Sequence, residues 1–222
     1  MTRALWTHLA KELRIEWRSL DALVSMLFFS LLVVVLFSIA FDPHGDFSRD
    51  IAGGVLSVAT MFASVSALNQ AWAREIRHQV IDAQRMAPTP GAELYLAKVI
   101  ANFLFVTIVQ VILAPIFLIM YNLHIEGQAW LLVLVLPLGT WALVGNGVFF
   151  AALSIRSRNR ELLLSLILFP IFIPALLAMV RATTSILTGD GDPNLWIKLL
   201  FGYDVIFTTT SLLLFDVVFH AE

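Results

Sequence analysis

Residues 22–41 read ALVSMLFFSLLVVVLFSIAF, a run of twenty residues without a single charged side chain. The hydrocarbon core of a bilayer is about 30 Å thick, and a helix needs ~20 apolar residues to cross it. Because lipid tails cannot hydrogen-bond to the backbone, a segment that crosses them pairs its own N–H and C=O groups by forming a helix. This stretch therefore predicts a transmembrane helix.

Five more stretches of similar length follow, and the six together contain only two of the chain's 30 charged residues. Hydrophobic residues make up 59% of the 222 residues. Soluble domains, whose surfaces must be wetted, contain only ~45–50%. This composition excludes a soluble enzyme and predicts an all-α membrane protein, with a single six-helix transmembrane domain over residues 21–222. The predicted spans are approximately residues 22–41, 51–73, 99–122, 129–155, 162–180 and 199–219.

The basic residues are distributed unevenly between the two sides of the predicted membrane. If the N-terminus lies in the cytoplasm, eleven of the 14 Lys and Arg residues are cytoplasmic and three are external. In chains with short loops this excess marks the cytoplasmic side, so we expect both termini in the cytoplasm. The net charge of −2 offers no basic field, so no nucleic-acid partner is expected.

Residues 1–20 form a separate amphipathic segment ahead of the first span. Its apolar positions recur every four residues, at Leu5, Leu9, Leu13 and Trp17. Lys11, Arg14 and Arg18 lie on another face of the same predicted helix. A basic amphipathic helix is typical of the headgroup layer, where its Leu and Trp side chains enter the lipid and its basic groups face phosphates. We favour this interfacial helix over the alternative, a solvated start to the first span.

Residue types that carry catalysis or hold cofactors are scarce in this chain. It has no cysteine, and none of its 11 glycines precedes a lysine, which excludes thiolate metal sites and a Walker A phosphate loop. The five histidines show no metal-binding spacing. We therefore expect a non-catalytic chain without a metal site and without a cofactor of its own.

Asp204 is the candidate for proton or ion transport, since ionisable residues inside spans are costly and tend to be functional. It lies about one turn into the predicted sixth span, counted from the external side. We favour a simpler interpretation, in which Asp204 caps or pairs at the external interface with Arg181 or Lys198.

Small residues mark two helix faces for close packing. In the second span they repeat every four positions, at Ala59, Ala63, Ala67 and Ala71. Gly139 and Gly147 mark a similar face on the fourth span, and small residues of this kind let membrane helices approach closely. Pro170 and Pro174 predict a kink or a helix break near the middle of the fifth span.

Residues 74–98 connect the second and third spans on the predicted cytoplasmic side. Within this connection, residues 75–86 predict a short surface helix that stops at the proline-rich sequence APTPG of residues 87–91. Long connections with their own structure are commonly functional, and a chain without a phosphate loop has no energy source of its own. We therefore interpret this helix as a docking site for a partner, the alternative being an interfacial helix without one. The candidate coupling residues are Glu75, Arg77, His78, Asp82 and Arg85.

Four short segments, taken in their order along the chain, carry a likeness to a known family. They are KELR at residues 11–14, MAPTP at residues 86–90, LAK at residues 96–98 and LLLSLILFPIFIPALLA at residues 162–178. Together with the six spans, they resemble the haem exporter protein B family, CcmB, of bacterial cytochrome c maturation. The resemblance extends over nearly the whole chain and implies an ABC-2-type permease subunit in the bacterial cytoplasmic (inner) membrane.

The resemblance also implies partners that supply what this chain lacks. They are a cytoplasmic ATPase subunit, a haem-handling membrane subunit, a small membrane subunit and a haem carrier protein, besides the lipid bilayer and a second copy of the chain. In the family, ATP hydrolysis drives release of the haem-loaded carrier on the outer face of the membrane. Haem and ATP are thus assigned to partner subunits, and residues 75–86 to a groove of the ATPase, where they move as a rigid lever.

Two other functions are compatible with the same features. A generic ABC-2-type exporter of lipid, glycan or drug shares the six spans and the interfacial start. A passive membrane scaffold for assembly, without a conformational cycle, is the second alternative. Haem-maturation genes beside this one would favour the resemblance over the first alternative, and a nucleotide-dependent change in crosslinking across the cytoplasmic loop would argue against the second.

Overall fold

The computed structural model describes residues 2–41, 46–86, 90–123, 129–156 and 159–220, and within these ranges the regular structure is helical throughout. Short 3-10 turns at Ala129–Leu131 and Ser154–Arg156 flank one of the helices. The α-helices of the described ranges are α1 (Thr2–Ser19), α2 (Asp21–Ala40), α3 (Asp46–Ala71), α4 (Ala73–Arg77), α5 (Ile81–Met86), α6 (Gly91–Met120), α7 (Leu132–Leu153), α8 (Arg160–Thr188) and α9 (Pro193–His220).

Six of these helices, α2, α3, α6, α7, α8 and α9, are long and apolar enough to cross a membrane. The prediction of an all-α membrane protein with six spans is therefore confirmed. The helices run past several of the predicted span limits: α6 already begins at Gly91 and α9 at Pro193. Hydropathy marks only the part of a helix that lipid surrounds, whereas capping decides where the helix begins and ends.

The connection between α8 and α9 shows how capping sets these limits. Gly189 takes a left-handed conformation with φ 76° at the end of α8, a backbone geometry that glycine adopts without steric cost. Three residues later, the Asp192 carboxylate accepts a hydrogen bond from the Asn194 N–H at 2.9 Å and caps α9. Pro193 occupies the first turn, where no N–H is needed. Both helices therefore extend by two turns or so beyond the predicted spans.

Helices α3 and α7 occupy the centre of the bundle: α3 packs against α2, α6, α7 and α8, and α7 against α3, α6, α8 and α9. We call the end where α2, α6 and α8 begin the inner end. There the Gly91 N–H at the start of α6 donates to the Asp216 carboxylate of α9 at 2.5 Å. The stacked rings of Trp72 and Phe215, whose centroids are 6.3 Å apart, lie in the core at the same end. By the distribution of basic residues, the inner end is the predicted cytoplasmic one.

Helix packing at the centre relies on the small residues that the sequence singles out. The alanines of the α3 stripe are all buried: Ala59, Ala63, Ala67 and Ala71. On α7, Gly147 packs directly on the Leu68 side chain, and a Cβ at Gly139 would lie 2.5 Å from Met179 Sδ of α8. Between these contacts, Gln110 Nε2 of α6 donates to Thr60 Oγ1 at 3.1 Å and to Thr140 Oγ1 at 2.8 Å. This hydrogen-bonded group joins α3, α6 and α7.

A kink or a break was predicted in the fifth span, and the break is absent, because α8 continues through Pro170 and Pro174 from Arg160 to Thr188. The kink stays a prediction. Both prolines are exposed, so their rings lie on the outside of the bundle. On the inside, Tyr203 Oη of α9 donates to the Ile171 carbonyl at 2.8 Å, next to the carbonyl that Pro174 leaves without its helical N–H donor. Neighbouring helices stabilise proline-containing membrane helices in this way.

Candidate coupling site

A group of charged side chains joins α1, α4 and α6 at the inner end. Its centre is Lys98, whose side chain is 0% exposed. Lys98 Nζ donates to Glu75 Oε1 at 2.8 Å, to Glu12 Oε1 at 3.1 Å and to the Ala71 carbonyl at 2.7 Å. An ammonium group has three N–H donors, so these three acceptors satisfy it completely.

A second cation, Lys11 of α1, completes this group. Lys11 Nζ lies 3.0 Å from Glu75 Oε1 and 3.1 Å from Glu12 Oε1. Two ammonium groups thus face two carboxylates, and the Lys98 ammonium also lies 4.4 Å from the centre of the Trp72 ring. Buried charges are tolerated when they are paired and hydrogen-bonded, and this arrangement meets both conditions. We call Lys11, Glu12, Glu75 and Lys98 the inner charge cluster.

The pKa values of two side chains of α1, Lys11 and His8, reflect this environment. Burial disfavours the charged form of Lys11, but Glu12 and Glu75 outweigh it, so the pKa of Lys11 is raised above its ordinary value. Burial, together with the nearby charge of Lys11, lowers the pKa of His8 on the same helix. At neutral pH, Lys11 is therefore a cation and His8 is uncharged.

Helix α1 is attached to α6 along its length. The Leu5 N–H donates to Glu93 Oε2 at 2.9 Å, which places a carboxylate at the positive end of the α1 dipole. About one turn further along α1, Leu9 is buried against Ala97 and Ala101 of α6. Trp17 is 67% exposed, whereas Leu9 packs on protein, so not all of the apolar face of α1 is free to enter lipid. Helix α1 is therefore held against α6 by a hydrogen bond and by apolar contacts.

The predicted single helix over residues 75–86 is wrong, because the segment is divided into α4 and α5. Gln79 has φ 54°, its N–H donates to the Ile76 carbonyl, and the Val80 N–H donates to the Glu75 carbonyl. This pair of bonds is a Schellman motif, which ends a helix. Glycine usually occupies the left-handed position, and with glutamine there the sequence carries no sign of the turn.

The structure separates the five predicted coupling residues. Glu75 is only 5% exposed and belongs to the inner charge cluster, so it cannot dock a partner directly. Arg77 and His78 are exposed on the turn between α4 and α5. The side chains of Asp82 and Arg85 lie outside the described part of the chain, as do residues 87–89, where the helix was expected to stop.

A cavity of about 300 Å³ lies beside the inner charge cluster, between α1, α3, α4 and α6. Its polar lining comes from Lys11, Glu12, Glu75 and His78, and Gln70 and Asn102 extend it toward the bundle. Among the described residues, no three His, Asp or Glu side chains are grouped closely enough to hold a metal ion.

Asp204 does not occupy the position expected from the sequence. Because α9 begins at Pro193, Asp204 lies about three turns inside the helix, and it is 6% exposed. Neither carboxylate oxygen has a hydrogen-bond partner among the described residues. Arg181 and Lys198 are exposed at the outer end. The expected external pair with Arg181 or Lys198 is therefore wrong, because the helix starts earlier than hydropathy indicates.

The chain is similar to known proteins over most of its length. A family model described as CcmB protein matches residues 3–218. Heme exporter protein B of Pseudomonas aeruginosa is 32% identical over 181 residues, which cover 82% of this chain and 81% of the relative. Proteins of the same name from Rhodobacter capsulatus and Haemophilus influenzae are each 30% identical. The alignment with the Rhodobacter capsulatus protein covers 76% of this chain and 77% of the relative, and the alignment with the Haemophilus influenzae protein covers 75% of each.

Proposed function

This chain belongs to the CcmB protein family, and from this membership we propose that it is the transmembrane permease subunit of a haem-handling ABC transporter in cytochrome c biogenesis. ATP hydrolysis belongs to a separate cytoplasmic ATPase subunit, since this chain has no phosphate loop. The inner end faces the cytoplasm of a bacterial cell, and both termini lie on that side. The observation that carries the mechanism is the inner charge cluster, which ties α4 to α1 and α6.

The ATPase docks on the exposed turn between α4 and α5. Arg77 and His78 supply its polar contacts, and the exposed Val80 and Met86 supply apolar ones. Glu75 is a positioning residue: through Lys98 and Lys11 it fixes α4 to two other helices. Closure of the ATPase dimer on ATP then moves α4, α1 and the inner part of α6 together.

Haem is the cargo of the complex and is held by partner subunits. A haem-handling membrane subunit, assisted by a small membrane subunit, loads the carrier protein on the outer face. The present chain converts movement at the inner end into release of the loaded carrier at the outer end. We call residues 74–98 the coupling segment. Helix α3 ends at Ala71, just before this segment, and α6 begins within it at Gly91. Both helices cross the whole bundle, so they are the route for this movement.

A charge reversal on the turn tests the docking surface. Arg77→Glu should reduce co-purification of the ATPase with the tagged chain roughly tenfold, which corresponds to a contact of about 1.4 kcal/mol. The yield of c-type cytochromes should fall with it. Lys198→Glu, an equally exposed reversal at the outer end, is the matched control and should leave both unchanged.

Normal ATPase recovery with Arg77→Glu and with a second acidic substitution, His78→Glu, would refute the docking surface. A chain that recovers an ATPase but no haem-binding membrane protein would instead be a generic ABC-2-type exporter. A complex whose crosslinks at α4 are the same with and without ATP would be a passive scaffold.

A further inference from the structure

A groove, separate from the cavity beside the inner charge cluster, lies between the C-terminal half of α1 and the exposed surface of α6. It is an open groove with a volume of about 760 Å³. It is lined by Leu13, Arg14, Trp17 and Arg18 of α1 and by Leu104, Phe105 and Ile108 of α6. One wall is therefore basic and aromatic, and the other is mostly aliphatic.

The basic wall has no acidic partner. Arg14 and Arg18 are exposed, lie one turn apart on α1, and form no ion pair with the residues that the structure describes. None of the described residues that line the groove is Asp or Glu. Like charges four residues apart on a helix repel each other, so an anion placed between these guanidinium groups would stabilise α1. Arginine forks bind phosphate oxygens in a bidentate manner.

The aliphatic wall continues into the membrane. Leu104 and Ile108 are followed on the same side of α6 by Val111 and Ile112, and all four are exposed. Because α1 ends at Ser19 and α2 begins at Asp21, the basic wall lies at the level where the first span starts. The groove thus presents cations at the depth of the headgroups and an apolar track at the depth of the acyl chains.

We propose that this groove binds one anionic phospholipid from the leaflet at the inner end. Its phosphate lies between Arg14 and Arg18, and one acyl chain follows Leu104 and Ile108 along α6. The exposed Trp17 ring covers the glycerol region, which is the layer that interfacial tryptophans occupy. Such a lipid holds the end of α1 against α6, whatever cargo the complex handles.

The test uses the full chain in detergent, with added phosphatidylglycerol or phosphatidylcholine. Phosphatidylglycerol should raise the Tm more than phosphatidylcholine does and should remain bound in native mass spectrometry. Arg14→Gln/Arg18→Gln should weaken phosphatidylglycerol binding roughly thirtyfold, since each basic residue near an anionic lipid contributes about a factor of five. Arg181→Gln/Lys198→Gln removes two exposed charges at the outer end and should leave binding unchanged.

Three results would overturn the proposal. They are equal stabilisation by the two lipids, an equal effect of inorganic phosphate, or retained binding in the Arg14→Gln/Arg18→Gln chain. If that variant fails to fold, a photoactivatable phosphatidylglycerol on the unaltered chain decides the question. Its crosslinks should fall on α1 and on residues 104–112 of α6, and a uniform spread over all six spans would indicate only bulk lipid contact.

Discussion

Lys98 is a lysine with no exposed surface, and its energetics depend on Glu12 and Glu75. Removing one partner from a buried ion pair typically costs 3–5 kcal/mol, because the opposite charge is left without compensation. In Lys98→Met, Lys11 alone faces two carboxylates, so we expect a loss of this order, measured as a lower Tm of the purified chain. Lys198→Met, on the exposed outer end, should leave the Tm unchanged.

The double variant Lys98→Met/Glu75→Gln sharpens this prediction. It removes one charge of each sign and leaves Lys11 paired with Glu12, so it should recover a large part of the stability lost in Lys98→Met. Additive losses in the double variant would mean that Lys98 acts independently of Glu75, through its ammonium contact with Trp72 and its hydrogen bond to the Ala71 carbonyl.

The turn between α4 and α5 sets the shape of the coupling segment, and Gln79 is its strained residue, with φ 54°. A side chain in the left-handed region costs about 1–2 kcal/mol relative to glycine. We therefore expect Gln79→Gly to stabilise the segment by about 1 kcal/mol, partly offset by the greater freedom of glycine in the unfolded chain. Hydrogen–deuterium exchange of residues 76–86 should slow roughly fivefold.

Ala83→Gly is the matched control, since Ala83 is an exposed position inside α5. Glycine in a helix interior costs about 1 kcal/mol, so exchange over the same residues should accelerate. If Gln79→Gly also accelerates exchange, the left-handed turn does not form in solution, and residues 75–86 are the continuous helix that their sequence predicts.

The helices themselves could be predicted from the sequence, because a segment that crosses a bilayer must be long enough to span it and must be apolar along that length. The 22–41 stretch differs from α2 by a single residue at each end for that reason. The ends of the helices could not be predicted, since Gly189 and Asp192 act as caps, which hydropathy does not detect. The inner charge cluster was missed for a different reason. Lys98 pairs with Glu12, 86 residues earlier, and only the fold brings the two together.

At the scale of the whole molecule, α3 and α7 lie at the centre of the bundle and contact each other closely at one point. Gly147 of α7 touches Leu68 of α3, a residue with no exposed surface, in the layer just above the inner charge cluster. The bundle is close-packed in this layer, so an added side-chain atom has no free space there.

Gly147→Ala tests whether this contact is as tight as the structure indicates. A Cβ at residue 147 would collide with the Leu68 side chain, and overpacking of this kind typically costs about 1–3 kcal/mol. Gly54→Ala on α3 is the matched control, since a Cβ there has nothing within 4 Å and alanine should stabilise the helix slightly. Gly147→Ala should lower the Tm and Gly54→Ala should not, and the loss in Gly147→Ala/Leu68→Ala should be smaller than the sum of the two single losses, because the shorter side chain makes room for the added methyl group. If Gly147→Ala leaves the Tm unchanged, α3 and α7 are not closely packed at this point.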